Sequence, residues 1–316
     1  MKFAAVFPGQ GSQSVGMLAK LAAELPVVRD TFAEAADVLG YDLWSLAQSG
    51  PEERLKQTEI TQPLMFVSGV ACWRAWRERG GPLPSCTAGH SLGEYAALVA
   101  AETFAFADGL RVVALRGDLM SRAVPDGEGG MAAILGLDDD TVIALCESLT
   151  GARVVEAVNF NAPSQVVISG HVDALEQACD KAKEAGAKRA LMLAVSVPNH
   201  SSLMQGVVEP LAAAIAGVPS SQPVVPILQN ADASEPDGLD ALLTSLKAHV
   251  ANPVRWTGTL QAMRKRGIDA VVEFGPGKVL SGLAKRTDRG FALYAVDEPD
   301  SLQAALDAVA SAEVSS

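Results

Sequence analysis

The chain has 316 residues, with 25 Lys and Arg against 37 Asp and Glu, a formal net charge of −12. Hydrophobic residues make up 49% and charged residues 20%, the balance of a globular protein with a large core that needs no metal or disulfide to hold it. The acidic excess argues against a dedicated nucleic-acid binder, whose footprint is basic.

The length fits one large domain, or a large one carrying a smaller one. The longest uncharged stretches are Ala190 to Val208 and Pro210 to Ala231. The first holds Ser196, Pro198, Asn199 and His200, and the second holds four prolines, so neither reads as the apolar helix of roughly 20 residues that a bilayer needs. The N-terminal apolar run turns at Pro8-Gly9, too soon for a secretory signal. Cys72, Cys86, Cys146 and Cys179 are scattered with no CxxC pair, the pattern of reduced core thiols in a cytoplasmic protein.

In chain order, short β-rich runs alternate with longer helical patterns, which predicts an α/β fold with a largely parallel sheet. Phe3–Phe7 reads as a buried strand. Thr31–Leu39 is a predicted helix with Asp30 as N-cap and Gly40 as stop, and Gln62–Arg79 is a long one ending at Gly80-Gly81. In the latter, Trp73 and Trp76 share a face, and core packing accounts for them better than ligand stacking. A strand at Cys86–Ala88 runs into Gly89-His90-Ser91-Leu92-Gly93, followed by helices at Glu94–Glu102 and Asp108 to about Ala123.

The middle behaves differently. Strand Met131–Leu137, helix Asp140–Leu149, strands Val154–Asn159 and Gln165–Ser169, helix Val172–Ala185 and strand Arg189–Val195 give β-α-β-β-α-β, the ferredoxin-like order. Residues 124–196 therefore read as an inserted subdomain, with 1–123 and 197–316 forming the parent α/β domain. The parent resumes with a helix around Ser202–Ala216, strand Val224–Leu228, and helices Leu239–Val250 and Val254–Arg266. Strand Ala270–Phe274, helix Val279–Arg286, strand Ala292–Val296 and a helix from Leu302 to about Ala310 complete it, with Glu313–Ser316 expected to fray.

The strongest chemical signal is G-x-S-x-G at residues 89–93. A short apolar strand precedes it and a strong helix follows, the context in which a tight strand–turn–helix presents a serine at a helix N-terminus. Free N–H groups and the helix dipole there can stabilise an oxyanion. A serine nucleophile needs a base, and the chain offers only His90, His171, His200 and His249. His90 adjoins Ser91 and points elsewhere; His171 falls in a turn of the insert. His200 stands where the chain re-enters the parent domain, a natural place for a cleft, and is the predicted base. No acid occupies an obvious triad position: Glu94 and Asp108 are weak candidates, and a backbone carbonyl could orient the imidazole instead.

Two features remain. Phe7-Pro8-Gly9-Gln10-Gly11-Ser12-Gln13 lacks both the P-loop and the dinucleotide-binding pattern, so its economical use is to supply a backbone N–H at a strand end. Arg116 stands on a mostly apolar helix. It either snorkels and pairs with Asp118 or Glu102, or holds a substrate carboxylate in a guanidinium fork.

These segments, with Asn159-Phe160-Asn161, Val195–His200, Asn252-Pro253-Val254-Arg255-Trp256 and Gly275-Pro276-Gly277-Lys278-Val279-Leu280, follow one another over nearly the whole length. In them the chain resembles the malonyl-CoA:acyl carrier protein transacylases of type II fatty-acid synthesis. The resemblance implies an α/β-hydrolase-like core with a ferredoxin-like subdomain. It implies Ser91 as the acylated nucleophile, His200 as base, the N–H groups of Gln10 and Leu92 as oxyanion hole, and Arg116 as carboxylate clamp. Asn161 and Asn199 are expected at the substrate. The base is oriented in that family by a main-chain carbonyl at a position usually occupied by Gln, which here is His249; the position of Asn199, often Phe or Ser, lines the acyl pocket.

The expected partners are malonyl-CoA and acyl carrier protein, with no nucleic acid, no membrane and no bound metal or cofactor, in a cytoplasmic enzyme whose default state is a monomer. A serine hydrolase on the same elbow and a non-catalytic acyl-CoA-binding module are the alternatives; Arg116 argues against the first and the Ser91/His200 pair against the second. Because the carrier is acidic too, the two must meet through a local basic surface, for which Lys181, Lys183, Lys188, Arg189, Lys285 and Arg286 are candidates.

Overall fold

Phe3–Phe7 is apolar and buried at all five positions, as a strand covered on both faces requires. In the computed structural model, which describes residues 1–313, it is β1. There follow helices α1 (Ala19–Glu24), α2 (Pro26–Leu39), α3 (Leu43–Ser49), α4 (Glu52–Leu55) and α5 (Thr58–Glu78), strand β2 (Cys86–Gly89), and helices α6 (Gly93–Ala100) and α7 (Phe106–Ser121). The middle comprises β3 (Gly129–Leu135), α8 (Asp139–Leu149), β4 (Val155–Ala162), β5 (Gln165–His171), α9 (Val172–Glu184) and β6 (Arg189–Met192). The chain then forms α10 (Gln205–Ala216), β7 (Ile227–Leu228), α11 (Gly238–Ala248), α12 (Trp256–Lys265), β8 (Ala270–Phe274), α13 (Val279–Thr287), β9 (Ala292–Val296) and α14 (Pro299–Glu313).

The first sheet runs β7-β2-β1-β8-β9 with every pair parallel. From the central β1 the chain moves outward through β2 to β7, then crosses back to build β8 and β9 on the other side. The loops that leave β1 and β2 thus lie at a topological switch point, where open parallel sheets hold their ligands. Helices cover both faces, and the larger core gathers around Phe7, Phe66, Trp76 and Phe274. Trp73 and Trp76 both set an edge against Phe274, at 5.2 and 5.7 Å between ring centroids, so they are core residues as expected.

The second sheet is antiparallel, in the order β4-β5-β3-β6. Numbered within the middle segment alone, that order is 2-3-1-4, the ferredoxin-like arrangement the element order predicts. α8 and α9 bury Ala132, Ile134, Val166 and Ile168 on one face. Because side chains alternate along a strand, the neighbours Met131 and Val167 emerge on the other face, toward the first sheet.

Several boundaries differ from expectation. α2 begins at Pro26 rather than Thr31, because proline suits the first helical turn, so Asp30 lies inside the helix; Gly40 does end it, in a left-handed conformation. α5 begins at Thr58, a turn before the expected Gln62, and tolerates Pro63 within its first turns. The Val224–Leu228 strand shrinks to two residues, and that at Arg189–Val195 to four. The helix expected at 254–266 starts at Trp256, because Val254 bridges to Asn159 instead. The last helix is longer than expected at both ends; Glu313 is its final residue, and 314–316, the rest of the expected frayed tail, lie outside the described residues.

Candidate active site

Backbone crowding explains the glycines of the 89–93 motif. A Cβ on Gly89 would come within 1.9 Å of the Gly93 carbonyl carbon, and one on Gly93 within 2.1 Å of the Phe7 carbonyl oxygen. The turn is that tight because α6 starts directly against the ends of β1 and β2. Ser91 at its apex takes a φ of 51°, a left-handed conformation that costs a non-glycine residue on the order of 1–2 kcal/mol. His200 is held the same way, with a φ of 66°.

These two residues, 109 apart in the chain, meet at 2.7 Å between Ser91 Oγ and His200 Nε2. The far side of the ring settles its tautomer. His200 Nδ1 lies 2.9 Å from the Asn252 carbonyl oxygen and 3.2 Å from that of His249, and carbonyls only accept. Nδ1 therefore carries the hydrogen, which leaves Nε2 free to accept the Ser91 hydroxyl proton. The His249 carbonyl lies where it is expected; the shorter contact, from Asn252, is an addition. Burial, with Arg116 and His90 nearby, lowers His200 to about 3, so it stays neutral and proton-accepting at physiological pH.

Arg116 is 1% exposed and pairs with neither Asp118 nor Glu102: Asp118 instead binds Arg122. Its Nη1 donates to Gln62 of α5 and its Nη2 to Ser91 Oγ at 3.1 Å, while Tyr95 spreads its ring 5.9 Å away. Its buried Nε has no partner. A guanidinium that lines the cleft and reaches the nucleophile through Nη2 is placed to meet an anionic group there.

The cleft around these groups has a volume of about 500 Å³ and lies between the two sheets. Gln10 and Leu92 line it beside Ser91, as do Asn161 and Asn199 from the other side. Asn161 Oδ1 lies 2.7 Å from His90 Nε2, which anchors His90 at the cleft wall. Asn199 Nδ2 donates to Met131 Sδ at 3.6 Å. His171 closes β5, its Nδ1 accepting from the Val154 N–H at 2.9 Å. Of the two acid candidates, Asp108 pairs with Arg111 on the surface, whereas Glu94 is buried behind the elbow.

Three residues at the site escaped sequence reasoning. Gln62 orients Arg116, and Asn252 acts through its main chain, which leaves no mark on residue type. Asn230 accepts the Ser91 N–H on Oδ1 at 2.9 Å and donates from Nδ2 to the Gly89 carbonyl at 2.7 Å and to Glu94. Of the basic candidates, all six are exposed; Lys183 is paired with Asp180, and Arg286 donates to Gln165 at the cleft.

The described cysteines are free and buried. No described helix is long and apolar enough to cross a membrane.

Comparison with known proteins gives the chain's family. Residues 5–298 match the family profile described as acyl transferase domain. Malonyl CoA-acyl carrier protein transacylase of Salmonella typhimurium (strain LT2) is 50% identical over 305 residues, 96% of this chain and 99% of the relative. The Bacillus subtilis (strain 168) protein of that name is 39% identical, covering 96% of each. Among solved structures, a type II PKS acyl-carrier protein in complex with its malonyl-transacylase superposes with a TM-score of 0.95 at 48% identity, covering 98% of this chain and 100% of that one. The acyl-carrier-protein S-malonyltransferase of Burkholderia pseudomallei 1710b does so with a TM-score of 0.94 at 51% identity, covering 97% and 100%. With full-length identity at this level and the family profile spanning nearly all of it, the chain belongs to the acyl transferase family, among its malonyl CoA-acyl carrier protein transacylases.

Proposed function

We propose that the chain moves the malonyl group from malonyl-CoA to the pantetheine thiol of acyl carrier protein, through a malonyl-Ser91 intermediate. The observation that carries this reading is a serine–histidine pair at 2.7 Å with a buried guanidinium 3.1 Å from the same hydroxyl. The pair performs acyl transfer, and the cation selects an acyl group that bears a free carboxylate. The names of the full-length relatives specify the same donor and acceptor.

Malonyl-CoA places its carboxylate on Arg116. His200 Nε2 takes the Ser91 proton as Oγ attacks the thioester carbon, and the negative charge moves to the carbonyl oxygen, toward the N–H groups of Gln10 and Leu92. Collapse breaks the carbon–sulfur bond, and the CoA thiolate leaves with the proton from His200. In the second half, the pantetheine thiol gives its proton to His200 and attacks malonyl-Ser91. The Ser91 alkoxide then leaves and recovers that proton, which makes the kinetics ping-pong. The carbonyls of His249 and Asn252 keep the imidazole in the required tautomer throughout. Asn161 and Asn199 line the substrate.

In this reading residues 1–123 and 197–316 are the α/β-hydrolase-like catalytic domain, and 124–196 the ferredoxin-like subdomain that walls the cleft. The same reading assigns the chain to the cytoplasm, where four buried free thiols stay reduced. The test is intact-mass analysis after mixing with malonyl-CoA, before and after addition of holo carrier protein. One malonyl group should appear on Ser91 and pass to the carrier faster than to water. Complete hydrolysis without carrier would make the chain a hydrolase, and absence of any adduct would remove the acyl-enzyme.

A further inference from the structure

His200 carries no carboxylate on Nδ1. When it takes the Ser91 proton it becomes a buried cation near a second buried cation, Arg116, and two carbonyl dipoles are its only direct compensation. Among the described residues the buried carboxylates are Glu94 and Glu273. Glu273 is already engaged by the Leu280 and Ser281 N–H groups and the Ser281 hydroxyl at the start of α13. Glu94 stands behind the elbow, holding the Asn230 amide that in turn accepts the Ser91 N–H.

Beside it is an unexplained group. Both ring nitrogens of His249 are buried without a hydrogen-bond partner, a costly state for a neutral imidazole. Its Nε2 lies 4.0 Å from Glu94 Oε2, and its ring centroid 5.2 Å from that of His200. The three groups therefore form a row, Glu94, His249, His200, that ends on the nucleophile.

We propose that Glu94 and His249 are positioning residues for acyl transfer: the carboxylate, held by Asn230 with the His249 imidazole 4.0 Å away, supplies the counter-charge for the imidazolium that forms on His200. This rests on the acyl-transfer reading above. The charged and titratable groups that face the pair are Arg116 from α7, His200 from the loop before α10, His90 from the loop after β2, and Tyr95 on α6. Burial lowers all three histidines and raises Tyr95, and Arg116 remains a cation. Burial pushes Glu94 up to about 7, against hydrogen bonds from Asn230 and Gln229 and the charge of Arg116. Of this set, Glu94 is the member that changes charge near neutrality, so acylation should accelerate as it ionises.

The experiment follows single-turnover acylation of Ser91 by malonyl-CoA from roughly pH 5.5 to 8.5 in the native chain, Glu94→Gln and His249→Leu. The native rate should rise through about pH 7. Glu94→Gln keeps an oxygen for Asn230; it should lose that rise and be about tenfold slower at the alkaline end, with malonyl-CoA half-saturation little changed. His249→Leu keeps the main-chain carbonyl but replaces the imidazole nitrogen 4.0 Å from the carboxylate with an apolar group, which disfavours the ionised carboxylate and should move the rise upward. A Glu94→Gln profile that keeps the native rise, whatever its height, overturns the proposal. If that variant does not fold, an unshifted His249→Leu profile overturns it equally. Failure of the native chain to form malonyl-Ser91 would instead overturn the acyl-transfer reading itself.

Discussion

Replacing Arg116 by Ala tests the selectivity argument most directly. The guanidinium is 1% exposed, contacts Gln62 and Ser91, and lines the cleft beside the nucleophile. Losing a buried, charge-assisted clamp costs about 2–4 kcal/mol. At 1.4 kcal/mol per factor of ten, kcat/KM for malonyl-CoA should fall roughly 30- to 1000-fold. Acetyl-CoA has no carboxylate to lose. Its slow transfer should hold or rise, because the Arg116 charge is one cause of the lowered proton affinity of His200. Arg116→Lys keeps the charge without the planar fork and should fall between.

The truncation also strands Gln62 Oε1, which costs about 1–3 kcal/mol of stability. The assay therefore compares acyl-enzyme formation from malonyl- and acetyl-CoA within one preparation, where the folded fraction cancels. A malonyl/acetyl ratio equal to the native one would refute the carboxylate role of Arg116.

Three further outcomes are expected. Ser91→Ala should abolish acyl-enzyme formation by intact mass, and Ser91→Gly, equally inactive, should be more stable than Ser91→Ala by about 1 kcal/mol in urea unfolding, because it relieves the φ of 51°. Gly93→Ala should lose at least about 3 kcal/mol or fail to fold, since its Cβ would meet the Phe7 carbonyl oxygen at 2.1 Å; a native-like denaturation curve would show that the elbow is looser than drawn. Stability should also fall on acidification. His90, His200 and His249 bind protons less well folded than unfolded, so their contribution is full above the unfolded value near 6.5 and is lost as pH falls below it. Glu94 and Glu273, raised by burial, act in the opposite sense, and Glu94 does so up to about 7. The three histidines outnumber the two carboxylates, so the unfolding free energy should drop between roughly pH 6.5 and 5, and a flat profile there would refute the neutral histidines.

Much of this architecture is legible in the chain. The strands Phe3–Phe7, Ala270–Phe274 and Ala292–Val296 are read to the residue, because a short apolar run bounded by glycine, proline or polar residues leaves little choice of length. The helices α1, α3 and α4 are missed, since four to seven residues are too few to display a period. Only Asp42, which caps α3 by accepting the Ser45 N–H, offered a local cue. The shortened strands β6 and β7 show the opposite error: apolar character continues past the point where a neighbouring strand is available to pair.

What the sequence determined by itself is local. Steric demand at 89–93 dictates an elbow wherever that segment is placed, and the β-α-β-β-α-β order of the middle segment dictates a sheet with its two helices packed on one face. Tertiary structure decided which groups meet Ser91. His200 and Arg116 could be nominated from residue type, but their contacts at 2.7 and 3.1 Å required the switch-point topology. The orienting carbonyls of His249 and Asn252, the Asn230 bridge and the buried row from Glu94 to His200 came from the fold alone. A carbonyl is identical in every residue, and a carboxylate acquires its unusual proton affinity only from the surroundings that bury it.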